Sequence, residues 1–360
     1  MSFIRTRAPA AAVAVAVGGL LVGCAAPVAT PGSPLVGLHA CPGAGTVIGV
    51  FSASAAPRST TDGPRLGTDT WALNLDGSAR RLTDDGVHLG AVIGPDSRSA
   101  YTLRSSGRVL GEALETPGTI ERLDLITGDR ATIATLPGIV DLAVSADGQH
   151  LAAAHTVASD PGAGPGVNTV TVLDLTTLRP ETTLSRPRDV PADVFSAVTQ
   201  VALDADGGRV AYAVAVEVRR GVVVNTLRIR DVASDTDTTV YRAEGTDFVS
   251  DVAWSADGAT VVAAIRHQEP TDSAEDPARF RTLFVDVASG RTTTDVGFAQ
   301  DISPVSRNGR RVLGIAPAAG AGGDPHGRAL VAWEHGARPS RPAPTESQGA
   351  GPSVAECSYR

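Results

Sequence analysis

Three observations predict an all-β protein, a six-bladed β-propeller of four-stranded antiparallel blades closed by its N- and C-terminal strands. From about His39 onward the chain consists of short, β-branched apolar runs separated by Asp, Gly, Asn and Ser, the rhythm of strands and tight turns. One turn motif then recurs five times: 91–97 (AVIGPDS), 142–148 (LAVSADG), 201–207 (VALDADG), 252–258 (VAWSADG) and 303–309 (SPVSRNG). Each copy is followed by further apolar runs, so that a repeat of about fifty residues carries four strands.

The turn residues Asp96, Asp147, Asp206, Asp257 and Asn308 are spaced 51, 59, 51 and 51 residues apart. Asp-Gly after a β run is a hairpin signal, because glycine takes positive φ without steric cost. The run before each turn is the inner strand, and 151–154, 210–214, 261–265 and 312–315 are the second strands. Third strands follow at 120–125, 169–175, 226–232 and 282–287, many ending in Asp and an apolar residue before the next turn. Fourth strands, weaker in pattern, fall at 132–136, 181–184 and 238–242. The first unit lacks the turn motif and offers only 46–51, 70–75 and 78–83, so its inner strand is missing. The chain end, 352–360, is expected to supply it, which closes the ring and removes an exposed strand edge. Cys41 and Cys357 would then lie on neighbouring strands and form a disulfide. Closing so long a loop contributes at most about 5 kcal/mol by chain entropy.

The repeated hydrophobic-Ala-(Trp/Val)-Ser-Ala-Asp-Gly motif resembles the WD-like repeat of TolB-type propellers. Those usually carry Pro before the Asp, and here only Pro95 does. The resemblance covers residues 40–360 and implies protein partners in the cell envelope. The scaffold hosts many activities, so it specifies fold far better than function.

The N-terminus addresses location. Arg5 and Arg7 precede an apolar run from Ala10 to Val22, which ends in Leu21-Val22-Gly23-Cys24 and resembles the bacterial lipobox. The run is too short to span a bilayer and reads as an export signal. Residues 1–23 are the expected lipoprotein signal peptide, 24–38 a Pro-rich tether and 39–360 the propeller. Acylation of Cys24, palmitate included, would hold the domain on the outer side of the cell membrane. With Cys24 acylated, Cys41 and Cys357 remain as an even pair in an oxidising compartment.

Composition excludes some functions. The net charge is −8, and nucleic acid, which needs a basic footprint, is a poor partner. All 31 basic residues are arginine, a sign of a GC-rich genome such as that of an actinobacterium. The seven histidines show no metal spacing, and nucleophile elbows and phosphate loops are absent from the sequence. Aromatic residues make up 4% of the chain, which weakens proposals of carbohydrate stacking or a quinone cofactor. No cofactor, metal or catalytic residue is expected. Asp204-Ala205-Asp206-Gly207 is read as a hairpin turn rather than a calcium loop, and Trp254 as core packing.

Long insertions between second and third strands, at 53–67, 105–118, 156–167, 217–223, 266–279 and 317–327, share one face with the blade-to-blade links. This marks either a binding face or neutral drift in Gly/Pro/Ala-rich loops. At the start of the inner strands on that face, Asp141, Gln200 and Asp251 fall in equivalent register. Gly90 and Ile302 break the series, with Asp301 one residue away. These side chains would ring the channel mouth, or each Asp would simply bond its own turn, the blander and favoured reading. The expectation is a monomeric, lipid-anchored scaffold that binds envelope proteins and has no catalysis of its own. The rival is a propeller hydrolase, lactonase or dehydrogenase, or a small-ligand receptor, using the channel-mouth carboxylates.

Overall fold

The computed structural model describes residues 47–336 except 55–58, 61–62, 65–67, 75–78, 86, 97, 106–116, 158–166, 185–186, 188, 192–193, 195, 220–221, 244, 246, 268–279, 298–300, 305–307 and 318–327. The signal segment, Cys24, the tether, Cys41, Cys357 and the ring-closing strand at 352–360 therefore lie outside the described residues.

The described chain is a β-propeller. A three-stranded sheet comes first: β1 (Val47–Ser54), β4 (Thr68–Asn74) and β5 (Ala79–Arg81), with a small ladder of β2 (Ser59–Thr60) and β3 (Gly63–Pro64) between β1 and β4. Four complete blades follow, each a simple meander. They are β6 (His88–Ile93), β7 (Ser99–Ser105), β8 (Pro117–Asp124) and β9 (Arg130–Pro137); then β10 (Ile139–Val144), β11 (His150–Val157), β12 (Val167–Asp174) and β13 (Arg179–Leu184). Next are β14 (Ser196–Leu203), β15 (Arg209–Arg219), β16 (Val222–Asp231) and β17 (Asp237–Arg242); then β18 (Phe248–Trp254), β19 (Thr260–Arg266), β20 (Phe280–Asp286) and β21 (Thr292–Gly297). A last three-stranded sheet holds β22 (Asp301–Pro304), β23 (Arg311–Pro317) and β24 (Arg328–Glu334). We number these six sheets as blades 1 to 6. Inner strands pack in sequence, β6 on β10, β10 on β14, β14 on β18 and β18 on β22, while β1 packs on β6.

The second strands are buried on both faces, and they are built from Ala and Val for that reason. Ala152, Ala153 and Ala154, then Ala211 and Ala213, then Ala263 and Ala264 are all fully buried. Small side chains let successive blades approach, and larger ones fill the space between. Apolar clusters bridge blades 2 and 3 (Leu103, Ile120, Leu151, Leu173), blades 3 and 4 (Val172, Val201, Tyr212, Val214) and blades 4 and 5 (Leu227, Trp254, Ile265, Leu283). Trp254 belongs to the core as expected: its Nε1 donates to Ala202 O at 3.2 Å, and Arg209 stacks on its ring at 4.8 Å.

The recurrent turns behave as predicted. Ser145 Oγ donates to Asp147 Oδ1 at 2.6 Å and Ser255 Oγ to Asp257 Oδ1 at 2.7 Å, while Gly148, Gly207, Gly258 and Gly309 all have positive φ. Each turn also nests on the preceding blade. A Cβ on Gly207 would fall 2.5 Å from His150 Cγ, and one on Gly258 2.9 Å from an Arg209 guanidinium nitrogen. The turns between third and fourth strands are fixed by Asp124, Asp174, Asp231 and Asp286. The carboxylates of these residues accept backbone N–H groups of the turn, preceded at Asp286 by the Ser289 hydroxyl as the larger influence, and this holds all four below the usual carboxylate range.

One expected irregular loop has strands for its flanks. On either side of 220–221, which lie outside the described residues, 217–219 and 222–223 extend the β15–β16 ladder to Arg219↔Val222, with Val218 as a half-exposed bulge residue. The valine run Val222–Val224 favours strand and overrides the loop expectation.

Candidate functional site

The inner strands share a device on the end that carries the insertions. In blades 2 to 5 the pairing of inner and second strand slips by one residue, between His88 and Gly90, Ile139 and Asp141, Val198 and Gln200, and Val249 and Asp251. A bulge places an extra residue in one strand and re-aims the side chain that follows. Gly90, Asp141, Gln200 and Asp251 all follow their bulge, and each pairs with the fifth residue of its second strand: Leu103, Ala154, Ala213 and Ala264.

Blade 6 corrects one expectation. Asp301, not Ile302, holds the equivalent position, because Asp301 pairs with Ile315, the fifth residue of β23. Pro304 and Val312 are partners separated by seven residues, whereas Val144 and Leu151 are separated by six. The longer connection shifted the sequence alignment by one.

A second correction concerns what Asp141 does. It does not bond its own hairpin turn. Its Oδ2 accepts the backbone N–H of Val201, on the inner strand of the next blade, at 2.8 Å. Val201 follows the bulge of blade 4, so the carboxylate serves a backbone group beside an interrupted ladder. The residue is partly exposed, and its carboxyl is the buried part of it. Burial pushes that carboxyl up to about 7, against the pull of the Val201 and Leu142 N–H groups. Asp251 behaves more locally, its Oδ1 accepting the Val252 N–H at 2.8 Å.

Sequence reasoning missed a second group on the same end, at blade 5. The buried Asp247 carboxylate, in the link before β18, bonds both His267 Nδ1 and an Arg281 guanidinium nitrogen. Arg266 lies over the rings of Phe248 at 5.5 Å and Phe280 at 6.0 Å, and burial pulls its guanidinium down. These side chains bracket the acidic insertion 268–279. Only the clustering of Arg and Phe at the strand ends could have signalled it.

The opposite, turn-bearing end holds a cavity of about 260 Å³ between blades 4 and 5, lined by Asp204, Asp206, Asp231, Asp257 and Arg209. Its polar groups are engaged within the protein: Asp206, Asp231 and Asp257 accept the backbone N–H groups of Gly208, Ser234 and Ala259, and Asp204 is paired with Arg209. Arg209 donates from its backbone and Nε to the two Asp204 oxygens at 3.0 and 2.8 Å, and from its terminal nitrogen to Gly258 O at 2.9 Å. Among the described residues no group of three or more His, Cys, Asp or Glu is placed to hold a metal ion.

Fold and ring together define a β-propeller whose insertions and re-aimed inner positions share one end. No protein-family model matches the sequence, and no curated protein matches it. Among solved structures it is similar to TolB from Acinetobacter baumannii, with a TM-score of 0.50 and 16% identity over 81% of this chain; the match spans 62% of that TolB chain. Pyrococcus horikoshii acylaminoacyl peptidase gives a TM-score of 0.48 at 13% identity, covering 80% of this chain and 44% of that one. Oligogalacturonate lyase from Vibrio parahaemolyticus gives 0.42 at 14% identity, covering 79% and 91%. At such identities the likeness is one of fold.

Proposed function

We propose that the chain is an envelope binding module: a propeller tethered through acylated Cys24, presenting its insertion-bearing end to one or more envelope proteins, with no chemistry of its own. The observation that carries this reading is the use made of the ring positions. Four successive inner strands bulge at one place, and Asp141 spends its carboxylate on the neighbouring blade's backbone. Such a ring is a rigid platform, and recognition falls to the loops mounted on it. The resemblance of the repeat to TolB-type propellers points the same way. A Cys41–Cys357 disulfide belongs to the same reading, as the staple of an exported ring.

In-cell crosslinking with mass spectrometry, using wild type and a variant with 156–167 and 266–279 replaced by short turns, tests the binding face. One envelope protein captured by the wild type and lost in the variant is the expected result. Equal recovery of abundant neighbours by both refutes it. Intact mass of the purified protein, with and without Cys24→Ala, reads the acyl chains and the disulfide directly.

A second reading has one observation in its favour. Asp141, raised to about 7, shares its register with Asp251 and Asp301, the arrangement a channel-mouth carboxylate site for a small ligand or an enzyme would use. Stoichiometric Ca²⁺ or Zn²⁺ on the purified protein, abolished in Asp141→Ala/Asp251→Ala, would establish that reading instead.

A further inference from the structure

The first sheet fixes the direction in which the chain enters the ring. His88, the first residue of β6, lies on the insertion-bearing end, just before the bulge. β5 leads into β6 and so ends there, which puts the β4–β5 connection on the opposite, turn-bearing end. β1 runs antiparallel to β4. Its register starts at Val47↔Asn74, at the turn-bearing end, and finishes at Ser54↔Thr68, at the insertions. The chain therefore comes into the propeller at its turn-bearing end, and only 22 residues, 25–46, separate Val47 from Cys24.

The two ends differ in build. Every connection between strands on the turn-bearing end spans four to six residues. Its carboxylates fold back on their own turns, Asp96 on the Arg98 and Ser99 N–H groups, Asp147 on Gln149, Asp206 on Gly208 and Asp257 on Ala259. That end is low and even. The other end is tall: β15 runs six residues past its ring partner Ala213, against two past Leu103 and Ala264 and three past Ala154. Both signs of charge are exposed on the low end, as at Asp96, Arg98, Asp286 and Arg291, so lipid charge does not set its orientation. The path of the chain does.

We propose that the turn-bearing end faces the lipid surface and the insertion-bearing end points away from it, so that the bound protein approaches from the aqueous side rather than in the plane of the same bilayer. This rests on the reading of Cys24 as acylated. Second strands of seven to eleven residues make blades about 25–35 Å tall, at ~3.3 Å per residue. A chain of 22 residues has a root-mean-square span of about 26 Å. In a turned-over propeller those residues would have to run back the height of a blade before reaching the bilayer. For a Gaussian chain of that span, the demand lowers the turned-over population by about fivefold to tenfold.

Energy transfer from the acylated full chain on phosphatidylcholine vesicles, with an acceptor dye on the lipid headgroups, tests the orientation. The donor dye is carried on p-azidophenylalanine at Gln149, exposed on the turn-bearing end, or at Val218, exposed on the opposite end. Thr176, in the β12–β13 turn, and Thr135, near the far end of β9, form a second exposed pair should a first variant fail to fold. Transfer to a plane of acceptors falls with about the fourth power of distance, so across one blade height the rate from Gln149 should exceed that from Val218 by about fivefold or more. Equal rates, or a higher rate from Val218, would overturn the proposal. Flotation of the same vesicles separates this failure from failure of the anchor: wild type should float and Cys24→Ala should not. Floating protein with equal transfer refutes the orientation alone. Wild type that stays in solution refutes the acylated anchor and the orientation with it.

Discussion

Replacing Asp141 by asparagine separates its two roles, hydrogen-bond acceptor and buried acid. The amide oxygen can still accept the Val201 N–H, so the link between blades 3 and 4 survives, but ionisation does not. In the folded protein the carboxyl holds its proton up to about 7; in the unfolded chain it loses it near the ordinary carboxylate value of about 4. Between those limits the native state binds more protons than the unfolded state, so this residue makes stability fall as pH rises, and the effect levels off above about 7. From pH 5 to pH 8 some two units of that window are crossed, worth about 3 kcal/mol at 1.36 kcal/mol per unit. Asp141 is partly exposed, and solvent screening halves this to about 1.5 kcal/mol. Urea denaturation of wild type and Asp141→Asn at both pH values provides the measurement. The variant's stability relative to wild type should rise by about 1–2 kcal/mol between pH 5 and pH 8. Comparing variant with wild type at each pH removes the contribution of other groups such as His88, which burial holds below its ordinary value and whose sign is opposite. An offset that does not change with pH would refute the reasoning, since it would mean that the carboxyl is ionised throughout.

Two further predictions rest on local geometry. Trp254→Phe keeps most of the packing between blades 4 and 5 but loses the bond to Ala202 O and weakens the Arg209 stack, an expected loss of about 1–2 kcal/mol in denaturation; Trp254→Ala should cost about 3–5 kcal/mol. Leu178 sits at φ 57° and is 45% exposed, at a turn position that glycine holds in blades 2 and 5, as Gly128 and Gly290. Leu178→Gly should therefore raise the melting temperature, by relief of about 1 kcal/mol of backbone strain.

Where the sequence was legible, it was so through turn chemistry. Asp-Gly pairs such as Asp147-Gly148 and Asp206-Gly207 fix both the hairpin and the strand that follows, and β11, β15, β19 and β23 fall where the motif places them. The bulges were not legible, because the residues that bulge, Leu89, Val140, Thr199 and Ser250, share no chemistry; the slip is a property of pairing between strands. The same blindness displaced Asp301 by one residue. The Asp141–Val201 bond joins residues 60 apart, and no local pattern announces it.

The nested turns carry a consequence for how such a chain can grow or be cut. Gly207 needs the space beside His150, Gly258 that beside Arg209, and Gly309 that beside Ser255 and Thr260, so each glycine belongs sterically to the blade before it. Gene duplication in steps of one whole turn-to-turn interval copies both halves of every nest and leaves the new joints fitted. A crossover inside a hairpin would pair a glycine with the wrong neighbour and spoil two blades at once. New termini opened among the insertions of the opposite end would leave every nest intact, which makes that end the natural place to permute or lengthen the chain.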